Sequence, residues 1–230
     1  MRKPSSVKGL EALSRARLSR HFFLRDFLYS EVAAVHGLRN VPDDPDLAIE
    51  AGGRLCQELL EPLQAAFGRI AIRSAYRSVE MNALCNRLKL GCARNEHNFA
   101  RHIWDRRDAD GFMGAMACVV VPWFVDHDRS GGWRAMAWWI HDHLPYSELE
   151  FYPRLAAFNI GWHERPRRTI HSQIPPLRGY LTKPGMANHA GDHASLYPGF
   201  PPAPVLDQPT ASATKRSTSA ASVSNDVTSR

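Results

Sequence analysis

The sequence predicts an α+β fold: a mostly antiparallel sheet with N-terminal helices packed on it. Three observations lead there. Helical periodicity comes early, with Leu55, Leu59, Leu63 and Phe67 recurring at four-residue steps. Short apolar or alternating runs come later, at Arg69–Arg73, Ala117–Val121, Glu148–Tyr152, Phe158–Trp162 and Arg168–Ser172. Strand and helix do not alternate regularly, as a doubly wound parallel sheet would require.

Taken in order, Phe27, Ala33, Ala34, Val35 and Leu38 suggest a short helix, ended by Gly37 and an Asn40-Val41-Pro42 turn. The next helix opens on acidic residues and closes at Gly68, and Pro62 inside it predicts a kink or a break. Arg69–Arg73 alternates polar and apolar residues and leads through Ser74-Ala75-Tyr76-Arg77-Ser78 into a helix from Val79 to about Leu88. A polar loop, NEHNFARHIWDRRDADG, then feeds the apolar strand that stops at Pro122. WRAMAWWIHDHLP (133–145) reads as a helix with Trp133, Ala137, Ile140 and Leu144 on one side. The expected organisation is a basic flexible arm (1–20), one α+β domain (21–178), an irregular extension (179–202) and a Ser/Thr/Ala-rich disordered tail (203–230).

The net charge of +6 is concentrated at the start: residues 1–20 hold six basic residues against Glu11, which leaves about +1 for the rest. The high isoelectric point therefore belongs to the arm, and nucleic acid is not expected as the partner. No apolar run approaches the ~20 residues of a membrane helix, and the N-terminus lacks the apolar core of a secretory signal. A cytoplasmic protein with reduced thiols is the expectation for Cys56, Cys85, Cys92 and Cys118, none of which forms a CxxC pair.

Zinc takes imidazole nitrogen and carboxylate oxygen, and a catalytic site leaves one position for water. His102 and Asp105, three apart in the polar loop, can turn toward one ion, and His171 supplies a distant third ligand from the last strand. A glutamate beside the ion would take the proton from bound water; Glu164 is the candidate, with Glu148 and Glu150 as alternatives that periodicity does not separate. His141 and His143 suit a helix C-terminus by their charge. Asp108, Asp110 and Gly111 form a turn signal, and DRRDADG lacks the terminal glutamate of a calcium loop. Arg77, on a turn after a strand, is placed either for a salt bridge or for carboxylate capture.

Over roughly residues 22–172 the chain resembles the zinc-dependent D-alanyl-D-alanine carboxypeptidase family, including its phage-endolysin relatives. FFLRDFLYSEVAAVHGLRNVP is similar to that family's Phe-Leu-x-x-Phe opening segment ending in Asn-x-Pro, and IAIRSAYRSVEMN to its Ser-x-Tyr-Arg-Ser strand and turn. The resemblance implies that Arg77 stabilises developing charge at the substrate, with Tyr76 and Ser74 shaping the wall. The family's metal motif, Ser-x-His-x-x-Gly-x-Ala-x-Asp, fits in two registers. One starts at His97 and leaves Asp105 a place late; the other starts at His102 and, across an insertion, sets Gly114 at Gly and Cys118 at Asp. Thr169-Ile170-His171-Ser172 fits the closing histidine.

The resemblance implies a zinc-dependent hydrolase of peptide or amide bonds acting on cell-wall-type peptides, muropeptides among them. Reaching the wall without a signal would need release by another route. The alternative is a catalytically inactive member of the fold that binds peptide or a protein partner through Arg77 and an aromatic wall of Trp104, Trp123, Trp133, Trp138 and Trp139.

Overall fold

The first apolar contacts of the chain lie inside its basic segment. In the computed structural model, which describes residues 1–127, 132–154 and 156–204, helix α1 (Val7–Ser14) is capped by the Ser6 hydroxyl, which accepts from the Gly9 N–H at 3.1 Å. Leu13 and Leu18 are 0% and 2% exposed, and Leu24 donates its N–H to the Ala16 carbonyl at 2.9 Å. The expected flexible arm is thus an ordered part of the core, because Leu13 and Leu18 bury apolar surface that its charges do not oppose. The expected tail lies, beyond residue 204, outside the described residues.

The helix expected around Phe27–Leu38 is two pieces, a 3-10 turn at Leu24–Phe27 and α2 (Glu31–Val35), because the Ser30 hydroxyl caps a new helix by accepting from the Ala33 N–H. Helix α3 (Pro45–Leu55) starts under an Asp44 cap with proline in the first turn. It passes through a π-helical turn (Cys56–Leu60) into α4 (Glu61–Phe67). This is the break that Pro62 predicts: proline has no N–H to continue the ladder, and Glu61 just before it donates five residues back, to the Cys56 carbonyl.

One six-stranded sheet follows: β1 (Ala71–Ser74), β2 (Gly114–Val120), β3 (Glu148–Phe151), β4 (Ala157–His163), β5 (Thr169–Ser172) and β6 (Gly179–Thr182). Their order is β1-β2-β4-β3-β5-β6, antiparallel throughout except for β3 beside β5. The extension expected to be irregular therefore contributes an edge strand. Period-two alternation sends Ala115, Ala117 and Val119 of β2, with Phe158, Ile160 and Trp162 of β4, into the core shared with α3. Helices α5 (Val79–Arg87), α6 (Asn95–Asn98) and α7 (Pro122–His127) precede helix α8 (Trp133–His143), which joins the same core, where Trp139 meets Phe67 edge-on at 4.6 Å between ring centroids. Trp104 and Trp139 are fully buried and Trp138 nearly so, which makes them packing residues and removes them from any aromatic wall.

Helix α5 (Val79–Arg87) is tied to the chain beyond it by a Cys85–Cys92 disulfide with Cα atoms 5.6 Å apart. The expectation of four reduced thiols fails for this pair, since the turn after α5 brings the two cysteines within bonding range. Cys56 and Cys118 are free and buried.

Candidate functional site

The Ser-Ala-Tyr-Arg-Ser turn leaves β1 through a register shift and is clamped from both sides. Asn40 donates from Nδ2 to the Tyr76 carbonyl at 2.8 Å and accepts from the Ser78 N–H at 2.7 Å. On the other side Arg77 donates its N–H to the His102 carbonyl at 2.8 Å. Held this way, the turn sends neighbouring side chains in different directions. Tyr76 enters the core, 1% exposed and edge-on to Trp104, so it cannot form a substrate wall. Arg77 is half-buried, with Cys118 and Tyr152 in its electrostatic surroundings, and no carboxylate pairs with it among the described residues. Burial pulls its guanidinium below the ordinary value, and the nearby Tyr152 and Cys118 only partly offset this.

The sheet face opposite the helices carries a polar row in register. Cα pairing runs from Ser74 to Cys118, Asn159, Glu150, His171 and Tyr180 across all six strands. Tyr152 donates its hydroxyl to Glu150 Oε2 at 2.8 Å and accepts from Asn159 Nδ2 at 2.8 Å, while Gln173 donates to Glu150 Oε1 at 3.0 Å. His171 Nδ1 stands 3.9 Å from Glu150 Oε1. Burial pushes the Cys118 thiol up to about 11 against the pull of Arg73 and Arg77, so it is a neutral thiol near pH 7. Lower on the same face, Glu148 pairs with Arg101 at 2.7 Å and Arg167 at 3.0 Å.

The zinc implied by the resemblance does not fit the expected ligands. His102 is 4% exposed with Nδ1 at 2.9 Å from the Ala75 carbonyl, and burial together with Arg77 holds it well below the usual imidazole value. Asp105 turns to the start of α3, where Oδ2 accepts from the Asp43 N–H at 2.7 Å and from Asp44 at 3.4 Å. Among the described residues its Oδ1 is buried without a hydrogen bond, and burial raises its pKa. His171, on β5, faces Glu150 instead, and no set of ligand atoms from His102, Asp105 and His171 lies within 4.8 Å of one another. Zinc bonds of ~2 Å need their ligand atoms closer than that. Glu164 is a staple and not a base beside an ion: its Oε2 accepts from the Met113 N–H at 2.7 Å and faces Arg107 at 3.5 Å. Of the expected residues, the structure brings Arg77, Ser74 and His171 to one face, together with Glu150, the alternative base, and Cys118, the alternative at the motif's Asp position.

A second constellation was hidden from periodicity. His141 and Asp142 end α8, and His193 arrives from the segment after β6. One ligand atom from each lies within 4.8 Å of the others, so the three could hold a metal ion, and they are the one such group of histidine, cysteine and acidic residues among the described residues. His141 and Asp142 border a cavity of about 440 Å³ shared with His143, His189 and Tyr197. His193 Nδ1 is 2.7 Å from Asp142 Oδ1, and Tyr197 donates its hydroxyl to Asp142 Oδ2 at 2.8 Å. Burial raises the Asp142 carboxyl, but the bonds from His193 and Tyr197 outweigh it and leave it below its ordinary value. Burial also lowers His141. The sequence signal was the pair of histidine-aspartate clusters, HDH at 141–143 and HAGDH at 189–193, whose meeting depends on tertiary structure.

No protein-family model, curated protein or solved structure matches the chain. Among the described residues, no helix is long and apolar enough to cross a membrane.

Proposed function

We propose that the chain is a peptide-binding protein on a D-alanyl-D-alanine carboxypeptidase-like fold, taking the terminal carboxylate of muropeptide-type peptides at Arg77. The observation that carries this reading is a half-buried guanidinium without an acidic partner among the described residues, at the edge of a polar sheet face. An arginine in that state has its planar fork available for a bidentate carboxylate. The in-register row from Cys118 to His171 offers donors and acceptors for the peptide amides beyond it. Support for the family reading comes from β2, which begins at Gly114 and turns Cys118 to the polar face, as the register with Cys118 in the carboxylate position requires.

A thiol in that position, and His102, Asp105 and His171 turned to separate tasks, favour binding over zinc-dependent hydrolysis on this face. The Cys85–Cys92 disulfide is of a kind that persists in oxidising compartments, which favours an encounter with wall peptides outside the cytoplasm.

Titration calorimetry with diacetyl-Lys-D-Ala-D-Ala and with its C-terminal amide tests the reading. One charge-assisted bidentate contact corresponds to about 1.5–3 kcal/mol, or on the order of 10- to 100-fold in Kd. The amide and the Arg77→Ala variant should each lose that much. Equal affinity for acid and amide would refute carboxylate capture, and release of D-alanine with added zinc would restore the hydrolase.

A further inference from the structure

We infer that His141, Asp142 and His193 take one zinc-class divalent cation, which fastens the segment from β6 to residue 204 onto the end of α8. The site is separate from the sheet face and does not depend on peptide binding there.

The donor set is two imidazoles and one carboxylate, with both histidines buried and the aspartate half-buried. Zinc bonds of ~2.0–2.2 Å place ligand atoms roughly 3–3.5 Å apart, so His193 and Asp142, now at 2.7 Å, need separate by less than about 1 Å. The outer contacts that orient metal ligands are already present. Whichever ring nitrogen of His141 binds, the other is held, by the Tyr146 hydroxyl at 2.7 Å or the His189 carbonyl at 2.9 Å. His193 has the same arrangement, with Nε2 at 3.1 Å from the Asn188 carbonyl, and its ring stacks on Trp138 at 4.2 Å.

Electrostatics favour a cation. The C-terminus of α8 points its partial negative charge at the group, and Asp192 lines the same cavity. Arg168, the nearby positive charge, spends donors on the Leu144 and His141 carbonyls at 2.7 and 2.6 Å. His189 also lines the cavity, with no hydrogen bond to its Nε2 among the described residues, and is the side chain available for a fourth position.

The test uses the full chain, stripped with chelator and titrated with zinc, then with cobalt for its absorption spectrum. One equivalent of zinc per chain is expected, with a cobalt spectrum of tetrahedral type, a raised melting temperature and slower proteolysis of the segment after Gly179. His193→Ala and Asp142→Asn should each weaken zinc binding on the order of 100-fold or more, beyond what outer contacts contribute. His102→Ala and His171→Ala should keep the metal. If His193→Ala does not fold, the cobalt spectrum of Asp142→Asn decides. The inference is overturned if the folded wild-type chain takes up no zinc at micromolar concentration. It is equally overturned if zinc persists in both cluster variants, or is lost with His171→Ala.

Discussion

Replacing Gly114 by alanine should destabilise the protein by about 3 kcal/mol, the upper part of the range for overpacking a tight site. A Cβ on Gly114 would lie 2.3 Å from the Ala100 carbonyl oxygen, 2.7 Å from His163 Cδ2 and 3.0 Å from the Trp162 carbonyl oxygen. Two of these are main-chain atoms fixed in the 98–106 loop and in β4, so no side-chain rotation relieves the clash. For a domain of this size, 3 kcal/mol corresponds to a Tm lower by roughly 6–12 °C. The displaced loop also carries His102, whose carbonyl holds Arg77, so peptide binding should weaken with stability. Gly111→Ala is the control. That glycine has φ +86° with nothing within 4 Å of an added Cβ, so only backbone strain of about 1–2 kcal/mol is expected. Chemical denaturation of the two variants, analysed for midpoint and slope, separates steric from conformational cost. A Gly114→Ala protein within about 1 kcal/mol of wild type would show that the strand and the His102 loop are not packed as described.

Leu18→Ala should cost about 2–5 kcal/mol in the same denaturation assay, as for other fully buried leucines, whereas a solvated arm predicts no change. Asp105→Asn should leave zinc content unchanged, because the side chain serves the Asp43 and Asp44 amides; loss of metal in this variant would restore it as a ligand. His102 is held neutral by burial, so in the native state it resists a proton that the unfolded chain accepts below its ordinary value of 6.5. Unfolding free energy should therefore fall as pH drops below 6.5, and His102→Gln should flatten part of that slope; an unchanged slope would contradict its burial. Reduction of the Cys85–Cys92 bond, or Cys85→Ser, should lower stability by about 2–3 kcal/mol, the loop being short.

The sequence by itself determined the helices and strands with their faces. Four-residue steps from Leu55 to Phe67 require an apolar helical stripe, and Pro62 requires its interruption, because both are local consequences of backbone geometry. The same holds for β2 to β5. Burial of Leu13 and Leu18 was not legible: leucines among six basic residues look solvated until the groove that receives them is known. Site chemistry divides along the same line. Arg77 could be singled out because a strand-to-turn motif sets its position locally, but its lack of an acidic partner among the described residues is a property of the surrounding fold. His102 and Asp105 look like a metal pair at three-residue spacing, yet the loop turns one imidazole to the Ala75 carbonyl and the carboxylate to the start of α3. His141 and Asp142 stand about fifty residues from His193, and only the path of the chain through β6 and back to α8 places them around one point. Secondary structure is written in short-range periodicity; ligand convergence is decided by long-range packing, which fixes both where the chain returns and which way each side chain faces.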